Sequence, residues 1–325
     1  MAVKKKKILV TGSGGFIFGN FIRRAFHLRK PYNIVSLDRV RESHLMHNMY
    51  VNKDHSFYIA DIRDPHMLNV IFQTERPDIV VHGAAESFVD SSIKDPSPFI
   101  TSNVVGTQNI IDICLETDVE RLVYISTDEV YGQLTSEEDE AWTESSNINP
   151  RNTYSASKAA GELLVRAAHE THGLQYQITR CCNNYGPWQD PEKFIPKIIQ
   201  HVFNGKSVPI YGKGDQVRDW IHVWDKCEAL FKIIDEGEEN TVYNISAGQE
   251  FSNVETFQLV CNALGKGHDL LKFVEDRPGH DFRYSVDSSK LRELGWKPNL
   301  KFKEGLEQTC KWYELNKFFL EQHED

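Results

Sequence analysis

The sequence predicts an α/β fold, in which a doubly wound parallel sheet is followed by a smaller C-terminal domain. Up to about residue 175, short apolar runs alternate with longer amphipathic stretches, and beyond it Pro and Gly interrupt a less regular pattern. Buried strands that alternate with amphipathic helices are typical of a parallel sheet with helices on both faces. We expect one domain over residues 1–175 and a second over residues 176–325, with segments that cross between them.

Five apolar runs in the first half are the strand candidates, and they lie at residues 7–11, 34–38, 57–60, 79–83 and 122–126. Between them apolar residues recur at helical spacing, for example over residues 16–29 and 65–74. In the second half, a closing helix is predicted over about residues 302–320, with helical spacing of Leu306, Cys310, Tyr313 and Lys317. Such sheets bind ligands at the carboxyl ends of their strands, so the residues that follow each strand are the candidate site.

The composition is that of an ordinary globular protein, with 40% hydrophobic residues, 26% charged residues and a formal net charge of -10. An acidic surface repels a phosphate backbone, so the charge argues against nucleic-acid binding. No apolar run reaches the length of a membrane span, and the N-terminus lacks the apolar core of a signal peptide. Six cysteines without metal-ligand spacing are expected to be reduced thiols. We therefore expect a cytoplasmic protein with no metal site.

A glycine-rich segment, Gly-Ser-Gly-Gly, begins at Gly12 after the first strand and opens the first helix at Phe16. Gly12 and Gly15 allow a tight turn and let the backbone approach a pyrophosphate, which the free N–H groups of the helix N-terminus bind. This placement predicts a dinucleotide site of the Rossmann type. Phe18 stands where a third glycine permits close packing of helix and strand. Its ring must therefore turn outward, or the helix must cross the strand at a greater distance.

Asp38 ends the second strand, where a carboxylate accepts hydrogen bonds from the ribose hydroxyls of an adenosine and repels a 2′-phosphate. Its position favours NAD over NADP as the cofactor. Arg39 and Arg41 follow it and argue mildly for NADP, but we interpret them as solvated loop charges. Asp61 and Ile62 follow the third strand, where they are placed to hold the adenine.

A tyrosine and a lysine four residues apart, Tyr154 and Lys158, begin a predicted helix and lie on the same face of it. A free tyrosine has a pKa of about 10, which is too high for a base near neutral pH. The positive charges of Lys158 and of a nicotinamide ring would lower that pKa. Because the pair follows a glycine-rich turn and a strand that ends in Ser126, it predicts a catalytic base.

Two adjacent carboxyl residues, Asp128 and Glu129, follow the fifth predicted strand. Adjacent carboxyl groups in a binding site push their proton affinities apart, so that one stays protonated as an acid while the other serves as a base. The alternative is a solvated turn with two acidic residues. An apolar strand leads directly into the pair and the apolar Val130 and Tyr131 follow it, which favours the acid–base interpretation.

Short motifs that match one family follow one another along nearly the whole chain. They lie at residues 82–87, 126–132, 154–158, 183–187, 191–193, 209–212, 218–220, 243–245 and 276–280. Together they resemble the extended short-chain dehydrogenase/reductases, and specifically the nucleotide-sugar 4,6-dehydratases that act on dTDP-glucose or UDP-glucose. Within the first motif, His82 is interpreted as a hydrogen-bonded structural residue rather than as a base.

The resemblance implies a reaction that begins and ends with NAD, so that the cofactor stays bound. In it Tyr154 takes the proton of the 4-hydroxyl, which Thr127 positions, while the C4 hydride passes to NAD. Glu129 then removes the C5 proton that the new ketone acidifies, and Asp128 protonates the departing 6-hydroxyl. Hydride returns to C6 and a proton to C5, which yields the 4-keto-6-deoxy sugar and water.

The resemblance also implies the binding residues. Those for the cofactor are Gly12, Gly15, Phe16, Ile17, Asp38, Asp61, Ile62, Ala84, Ala85, Ser102, Tyr154, Lys158 and Asn184. Those for the sugar nucleotide are Ser87, Thr127, Asn183, Lys193, Pro209, Tyr211, Arg218, Asn244, Arg277 and His280. Arg218, Arg277 and His280 are expected at the diphosphate, which a guanidinium can bind bidentately. The alternative for Arg218 is a surface ion pair with Asp219.

Three other functions keep parts of this pattern. An NDP-sugar 4-epimerase and a UDP-glucuronate decarboxylase share the fold, NAD, the tyrosine and the lysine, but neither needs a proton donor for a 6-hydroxyl. A non-catalytic NAD-sensing or scaffold protein usually loses the tyrosine or the lysine. Asp128 beside Glu129 therefore favours the dehydratase, acting in rhamnose-type deoxysugar synthesis. Short segments before Leu122 and over residues 133–153 favour UDP-glucose over dTDP-glucose.

The helices predicted over about residues 98–116 and 154–172 indicate a second copy of the chain. Both helices carry apolar residues on more than one face, among them Val105, Ile110, Leu163 and Val165. A helix that is apolar all round needs a partner on each side. Because the family pairs these two helices across a symmetric interface, we expect a homodimer.

Overall fold

The computed structural model describes residues 5–39, 55–276 and 279–321. Contacts between Cα atoms divide the chain into two compact units. The first comprises Met1–Tyr131, Asn147–Arg180 and Leu230–Tyr243, and the second comprises Gly132–Ser146, Cys181–Ala229 and Asn244–Asp325. The chain therefore leaves the first unit after Tyr131, returns at Asn147, and returns once more at Leu230.

A seven-stranded sheet forms the centre of the first unit. Its strands are β1 Lys6–Thr11, β2 Tyr32–Asp38, β3 His55–Ile59, β4 Ile79–His82, β5 Arg121–Ile125, β6 Tyr176–Cys181 and β10 Thr241–Ile245. They lie in the order β10-β6-β5-β4-β1-β2-β3, and every pair from β3 to β6 is parallel. The order reverses between β1 and β4, which is where sheets of this kind bind ligands. The predicted α/β fold with a doubly wound parallel sheet is confirmed.

Helices flank this sheet and bury their apolar faces. They are α1 Phe16–His27, α2 Pro65–Glu75, α3 Val89–Lys94, α4 Ser97–Ile100, α5 Gly106–Glu116 and α6 Thr153–His172. One turn of π-helix, Thr101–Val105, joins α4 to α5. Asn152 caps α6 because its side chain accepts a hydrogen bond from the Ser155 N–H at 2.8 Å. This cap fixes where the helix that carries Tyr154 begins.

The second unit is built on a small mixed sheet. Its central strand β9, Val217–His222, pairs with β7 Asn183–Tyr185, β11 Glu250–Ser252 and β13 Arg283–Tyr284. Separately, β8 Val208–Tyr211 pairs in parallel with β12 Leu271–Val274. The remaining helices are α7 Phe194–Phe203, α8 Val223–Glu236, α9 Asn253–Ala263, α10 Ser289–Glu293, α11 Phe302–Leu315 and α12 Phe318–Glu321. Aliphatic and aromatic residues together form the core of this unit, and the aromatic ones include Tyr185, Trp220, Phe257 and Phe302.

The predicted closing helix over residues 302–320 is interrupted. The helix α11 ends at Leu315, and α12 begins after Lys317. Leu306, Cys310 and Tyr313 are buried as the spacing predicts, whereas the Lys317 ammonium lies over the Phe203 ring at 5.2 Å from its centroid. All six cysteines are buried and free. None of the helices in the described ranges is both long enough and apolar enough to cross a membrane.

Phe18 does not turn outward, which corrects one of the two packing expectations for the first helix. Its side chain is buried in the first unit. Room for the ring exists because Gly83, just after β4, has no side chain: a Cβ built there would lie 1.9 Å from the Phe18 Cε2. The glycine that permits close packing is therefore on the facing strand end instead of on the helix.

Candidate active site

The glycine-rich turn lies at the carboxyl end of β1, beside the end of β4. Gly12 has φ +78°, and a Cβ on it would lie 2.8 Å from backbone atoms of Ala84. The Gly15 N–H donates to the Gly12 carbonyl at 3.1 Å. Gly15 is also the N-cap of α1, so Phe16 and Ile17 are the first two residues of the helix. The turn thus has no room for side chains at Gly12, and it leads directly into the N-terminus of α1, the kind of helix end that binds anions.

Asp38 lies next to this turn, as its place at the end of β2 predicts. One of its carboxylate oxygens accepts a hydrogen bond from the Gly14 N–H at 2.8 Å. Arg39, which argues for NADP in the sequence, forms an ion pair with Glu86 instead. Arg41 lies outside the described residues. Among the described residues here, the Asp38 carboxylate is therefore fixed beside the turn, and the Arg39 guanidinium is paired with Glu86.

Asp61 and Ile62 follow β3, but both already have protein contacts. The guanidinium of Arg63 binds both carboxylate oxygens of Asp61, and this hydrogen bonding lowers the pKa of the carboxyl. The side chain of Ile62 is buried against the backbone of Gly106, where a Cβ would lie 2.6 Å from it. The structure places the two residues at the sheet edge, with the carboxylate occupied by Arg63.

Tyr154 and Lys158 lie on the first turns of α6. The Phe99 ring meets the Tyr154 ring edge-on at 6.5 Å between centroids. Lys158 is almost fully buried, and its ammonium lies 4.3 Å from the centroid of the Tyr124 ring on β5. Burial lowers the pKa of Lys158 to about 7, and the negative charge of Glu162 opposes that shift. The ammonium is therefore a group whose charge depends strongly on what binds beside it.

The carboxyl pair follows β5 in a short 3₁₀ turn, Asp128–Tyr131. Asp128 is 3% exposed, which excludes the solvated-turn alternative for this residue. The Thr127 hydroxyl donates to Asp128 at 3.2 Å and accepts from the Glu129 N–H at 3.4 Å. The Asn152 amide donates to the Glu129 carboxylate at 3.3 Å. The residue that caps the helix of Tyr154 thus also holds one member of the carboxyl pair.

His82 is a structural residue, as the sequence analysis expects. Its ring is fully buried and lies between the hydroxyls of Thr11, at 2.7 Å from Nδ1, and Thr107, at 3.0 Å from Nε2. Burial and the nearby Lys158 charge lower the pKa of His82 to about 3. The ring is therefore neutral at physiological pH, and it joins β1, β4 and α5 under the site.

Residues after β4 and in the π-helical turn line the same edge of the sheet. The Ala84 N–H donates to the Thr11 hydroxyl at 3.1 Å, Ala85 and Ser87 are exposed, and Ser102 is buried. Asn103, which the sequence analysis missed, donates to the backbone of Glu86 and to the Ser157 hydroxyl. Asn103 and Thr107 are four residues apart and lie among apolar residues. This helical spacing of polar residues is the sequence pattern that could have indicated Asn103.

In the second unit, Arg218 is held by backbone and ring contacts. Its guanidinium donates to the carbonyls of Val217 at 2.8 Å and Asp281 at 2.9 Å, and lies 4.4 Å from the centroid of the Tyr284 ring. Asp219, its sequence neighbour, accepts instead from the Gln249 N–H at 2.9 Å and from a serine hydroxyl. The surface ion pair with Asp219 is therefore not the arrangement in the structure, and the guanidinium has a fixed position.

The other candidate residues of this unit lie on different strands and helices. Asn183 and Asn184 lie on β7, Lys193 is the N-cap of α7, and Pro209 and Tyr211 lie on β8. The Asn184 amide donates to the Cys182 carbonyl at 2.9 Å.

Two of the residues expected at the nucleotide already have partners. His280 packs edge-on against Tyr211 and hydrogen-bonds the Asp276 carboxylate at 2.7 Å. Asn244 is fully buried and its amide donates to the Trp142 carbonyl at 3.0 Å. Arg277 lies outside the described residues.

Sequence comparisons with known proteins identify one family and relatives that match nearly the whole chain. A sequence profile described as the NAD dependent epimerase/dehydratase family matches residues 8–246. A low-salt glycan biosynthesis protein, Agl12 of Haloferax volcanii, is 44% identical, over 94% of this chain and 98% of its own. The dTDP-glucose 4,6-dehydratase 1 of Escherichia coli is 39% identical over 95% of this chain and 93% of its own.

Solved structures give the same result. DesIV, a dTDP-glucose 4,6-dehydratase from Streptomyces venezuelae crystallised with NAD, superposes with a TM-score of 0.92 at 39% identity. The superposition covers 97% of this chain and 99% of that one. A UDP-glucose 4-epimerase from Thermotoga maritima superposes with a TM-score of 0.88 at 26% identity, over 95% and 99% of the two chains. The fold is thus common to both activities, and the higher identity is to the dehydratase.

Proposed function

Because the chain belongs to the NAD-dependent epimerase/dehydratase family, we propose that it removes water from a nucleoside-diphosphate glucose to form the 4-keto-6-deoxy sugar. The observation that carries the proposal is the turn after β5, in which a buried Asp128 stands next to a Glu129 that is fixed by Asn152. An epimerase has no step that needs this pair. Elimination of water across C5 and C6 needs both an acid and a base.

The residues of the first unit fit NAD. A Cβ at Gly12 would meet the backbone of Ala84 at 2.8 Å, so the turn has no room for a side chain there and lets a pyrophosphate approach the N-terminus of α1. The carboxylate of Asp38 is held beside the turn by Gly14, where it favours ribose hydroxyls over a 2′-phosphate. NAD, when bound, accepts a hydride from C4 of the sugar and later returns it to C6.

The remaining chemistry belongs to the side chains. Tyr154 accepts the 4-hydroxyl proton, and the Lys158 ammonium beside it stabilises the phenolate. Thr127, whose hydroxyl already bonds Asp128 at 3.2 Å, orients the sugar hydroxyl. Glu129 removes the C5 proton, and Asp128 gives a proton to the departing 6-hydroxyl.

We assign the nucleotide to the second unit. The Arg218 guanidinium is fixed by three backbone carbonyls and an aromatic ring, which hold its positive charge in one place for a diphosphate. Lys193 stands at the N-cap of α7, whose N-terminus adds positive potential for an anion. Asn244 supports the site from the core through its bond to Trp142.

We propose dTDP-glucose as the preferred substrate, in place of the UDP-glucose that the short segments favour. Dehydratases of dTDP-glucose match this chain over nearly its full length, and DesIV is covered to 99%. DesIV, which acts on dTDP-glucose, is therefore about as short as this chain. The short segments thus do not distinguish dTDP-glucose from UDP-glucose as the substrate. The buried, free cysteines agree with a reducing compartment, and we propose the cytosol.

We further propose a homodimer formed by α3 to α6. Ile110 and Val165 are buried in the core of the first unit, whereas Val105 and Leu163 are about half exposed, at 50% and 57%. Ile93 and Ile100, on neighbouring helices, are exposed to a similar degree. An apolar patch of this kind on a helical face is typical of an interface between subunits.

The function is tested with purified protein, dTDP-glucose and UDP-glucose in parallel. Denaturation of the protein should release NAD without any having been added, since the reaction regenerates its cofactor. The product mass should correspond to loss of water, and dTDP-glucose should react faster. An isomer of unchanged mass, a loss of carbon dioxide, or no reaction with either nucleotide would contradict the proposal.

A further inference from the structure

A fully buried ion pair lies beneath the catalytic residues of the first unit. Glu162 on α6 is 0% exposed and Arg180 on β6 is 1% exposed. The Arg180 Nε lies 3.1 Å from each carboxylate oxygen of Glu162, and its Nη2 lies 2.6 Å from one of them. Removing two charges from water is unfavourable for each ion, so stability alone is a weak explanation for such a pair.

The pair connects two catalytic elements, since Glu162 lies on the helix of Tyr154 and Arg180 contacts the acid–base turn from β6. Glu162 lies one helical turn after Lys158, and its charge acts on the pKa of that lysine. On the other side, the guanidinium carbon of Arg180 lies 4.6 Å from the centroid of the Tyr131 ring. Tyr131 is itself buried and ends the turn that carries Asp128. A planar guanidinium that stacks on an aromatic ring fixes the position of that ring.

We propose that Glu162, Arg180 and Tyr131 form a positioning unit that holds the acid–base turn in register with the helix of Tyr154 and Lys158. The inference rests on the proposed function, because only a dehydratase needs the acid–base turn and the helix of Tyr154 and Lys158 to act on the same sugar. The helix carries out the oxidation at C4, and the turn carries out the elimination at C5 and C6. The bond from Asn152 to Glu129 is a second connection between the two elements, at 3.3 Å.

The consequence for the reaction is a separation of its two steps. Tyr154 and Lys158 lie on the N-terminal half of α6, whose start is fixed independently by the Asn152 cap. The turn, in contrast, is held at its far end by the stacking of Arg180 on Tyr131. Loss of the contacts among Glu162, Arg180 and Tyr131 should therefore displace the turn more than the helix. A displacement of 1 Å can reduce a rate about 100-fold.

The test uses single-turnover mixing of the NAD-loaded protein with dTDP-glucose, following bound NADH and product mass. The first variant is Glu162→Leu combined with Arg180→Met, which replaces the pair by apolar side chains and leaves no unpaired buried charge. We expect elimination to slow about tenfold or more. Hydride transfer from C4 should slow less, because it loses only the effect of the Glu162 charge on the Lys158 pKa. Bound NADH and the 4-keto sugar that retains its 6-hydroxyl should accumulate.

A second variant, Tyr131→Leu, keeps the ion pair and removes only the stacked ring, so it gives an answer even if the double variant does not fold. It should also slow elimination more than oxidation. The control is Lys232→Met with Glu236→Leu, which removes an ion pair on α8 whose side chains are 27% and 56% exposed, and it should change neither step. Equal loss of both steps, or unchanged elimination, would overturn the proposal. Failure of wild type to release water would instead reject the proposed function.

Discussion

The two carboxyl residues after β5 are neighbours in sequence but lie in different surroundings. Asp128 is buried and bonded by the Thr127 hydroxyl, whereas Glu129 is half-buried and bonded by Asn152. The sequence predicts that the pair lies at the edge of the sheet, because an apolar strand precedes it. It does not predict the bond from Asn152, because that residue is 23 positions away and looks like an ordinary helix cap.

This difference allows the two carboxyl groups to be separated by experiment. Asp128→Asn and Glu129→Gln should each bind the cofactor and complete the C4 oxidation, then stall with a loss of about 10²–10⁴-fold in elimination. Glu129→Gln should lose more of the solvent-deuterium exchange at C5, and Asp128→Asn more of the water release. Tyr154→Phe, as the comparison, should prevent the first oxidation. Unimpaired dehydration in both carboxyl variants would show that the pair has no catalytic role.

Lys158 leads to a prediction about pH. Its pKa is about 7 in the folded protein against 10.5 for an ordinary lysine, because burial disfavours the ammonium. Between these values the unfolded chain binds more protons at this site, so the folded protein gains stability there as pH rises. Lys158→Met lacks this dependence. The free energy of unfolding of Lys158→Met minus that of wild type should therefore be largest below about pH 7 and should decrease toward about pH 10.

The measurement is denaturant unfolding of the cofactor-free protein over that range of pH. Lys232→Met removes a partly exposed lysine of α8 and serves as the control, and its difference from wild type should not vary with pH in the same way. If the Lys158→Met difference is constant with pH, the ammonium does not experience the desolvation that the structure indicates.

At the scale of elements, the contact between α1 and the end of β4 shows how one glycine can replace another. Phe18 occupies the helix position where the pattern expects a glycine, and Gly83 provides the missing space on the other side. The sequence analysis identifies the anomaly at Phe18 but not its solution. The compensating residue lies in another motif, and a glycine after a strand is otherwise read as part of a turn.

Gly83→Ala should destabilise the protein by about 1–3 kcal/mol, since its Cβ would overlap the Phe18 ring. Phe18→Ala alone should cost about 3–5 kcal/mol through the cavity that it leaves. In the double variant the methyl group of the alanine enters that cavity, so the loss should be smaller than the sum of the two. Chemical denaturation of the three variants measures this coupling, and strictly additive losses would argue against the contact.

Other elements differ in how far the sequence predicts them. All five predicted strands of the first half are present within two residues at each end, because continuous apolar runs bounded by turns are typical of buried parallel strands. The strands β6 and β10 were not among them. For β6, Arg180 is the clearest reason, since a buried arginine one residue before the end of the strand makes it look polar, and its partner Glu162 lies on another element.

At the scale of the whole molecule, the exposed apolar residues of α3 to α6 predict association of two chains. Val105→Glu combined with Leu163→Glu should convert the protein to a monomer, because a charge on each residue would be buried at the interface. Leu315→Glu is the matched control, since that leucine at the end of α11 is 75% exposed and lies outside these helices. Light scattering at micromolar concentration measures the mass. A monomeric wild type would contradict the dimer.

The path of the chain between the two units has a consequence for how the gene can be divided. A fragment ending near residue 175 includes every predicted strand of the first half, yet it lacks β6 and β10. Its sheet would end at β5, with the backbone of that strand unpaired and open to association with other chains. Such a fragment should aggregate when expressed alone. Viable splits, insertions and tags are therefore better placed in exposed loops, such as the one after α7 at Gly205, where an added Cβ meets nothing within 4 Å.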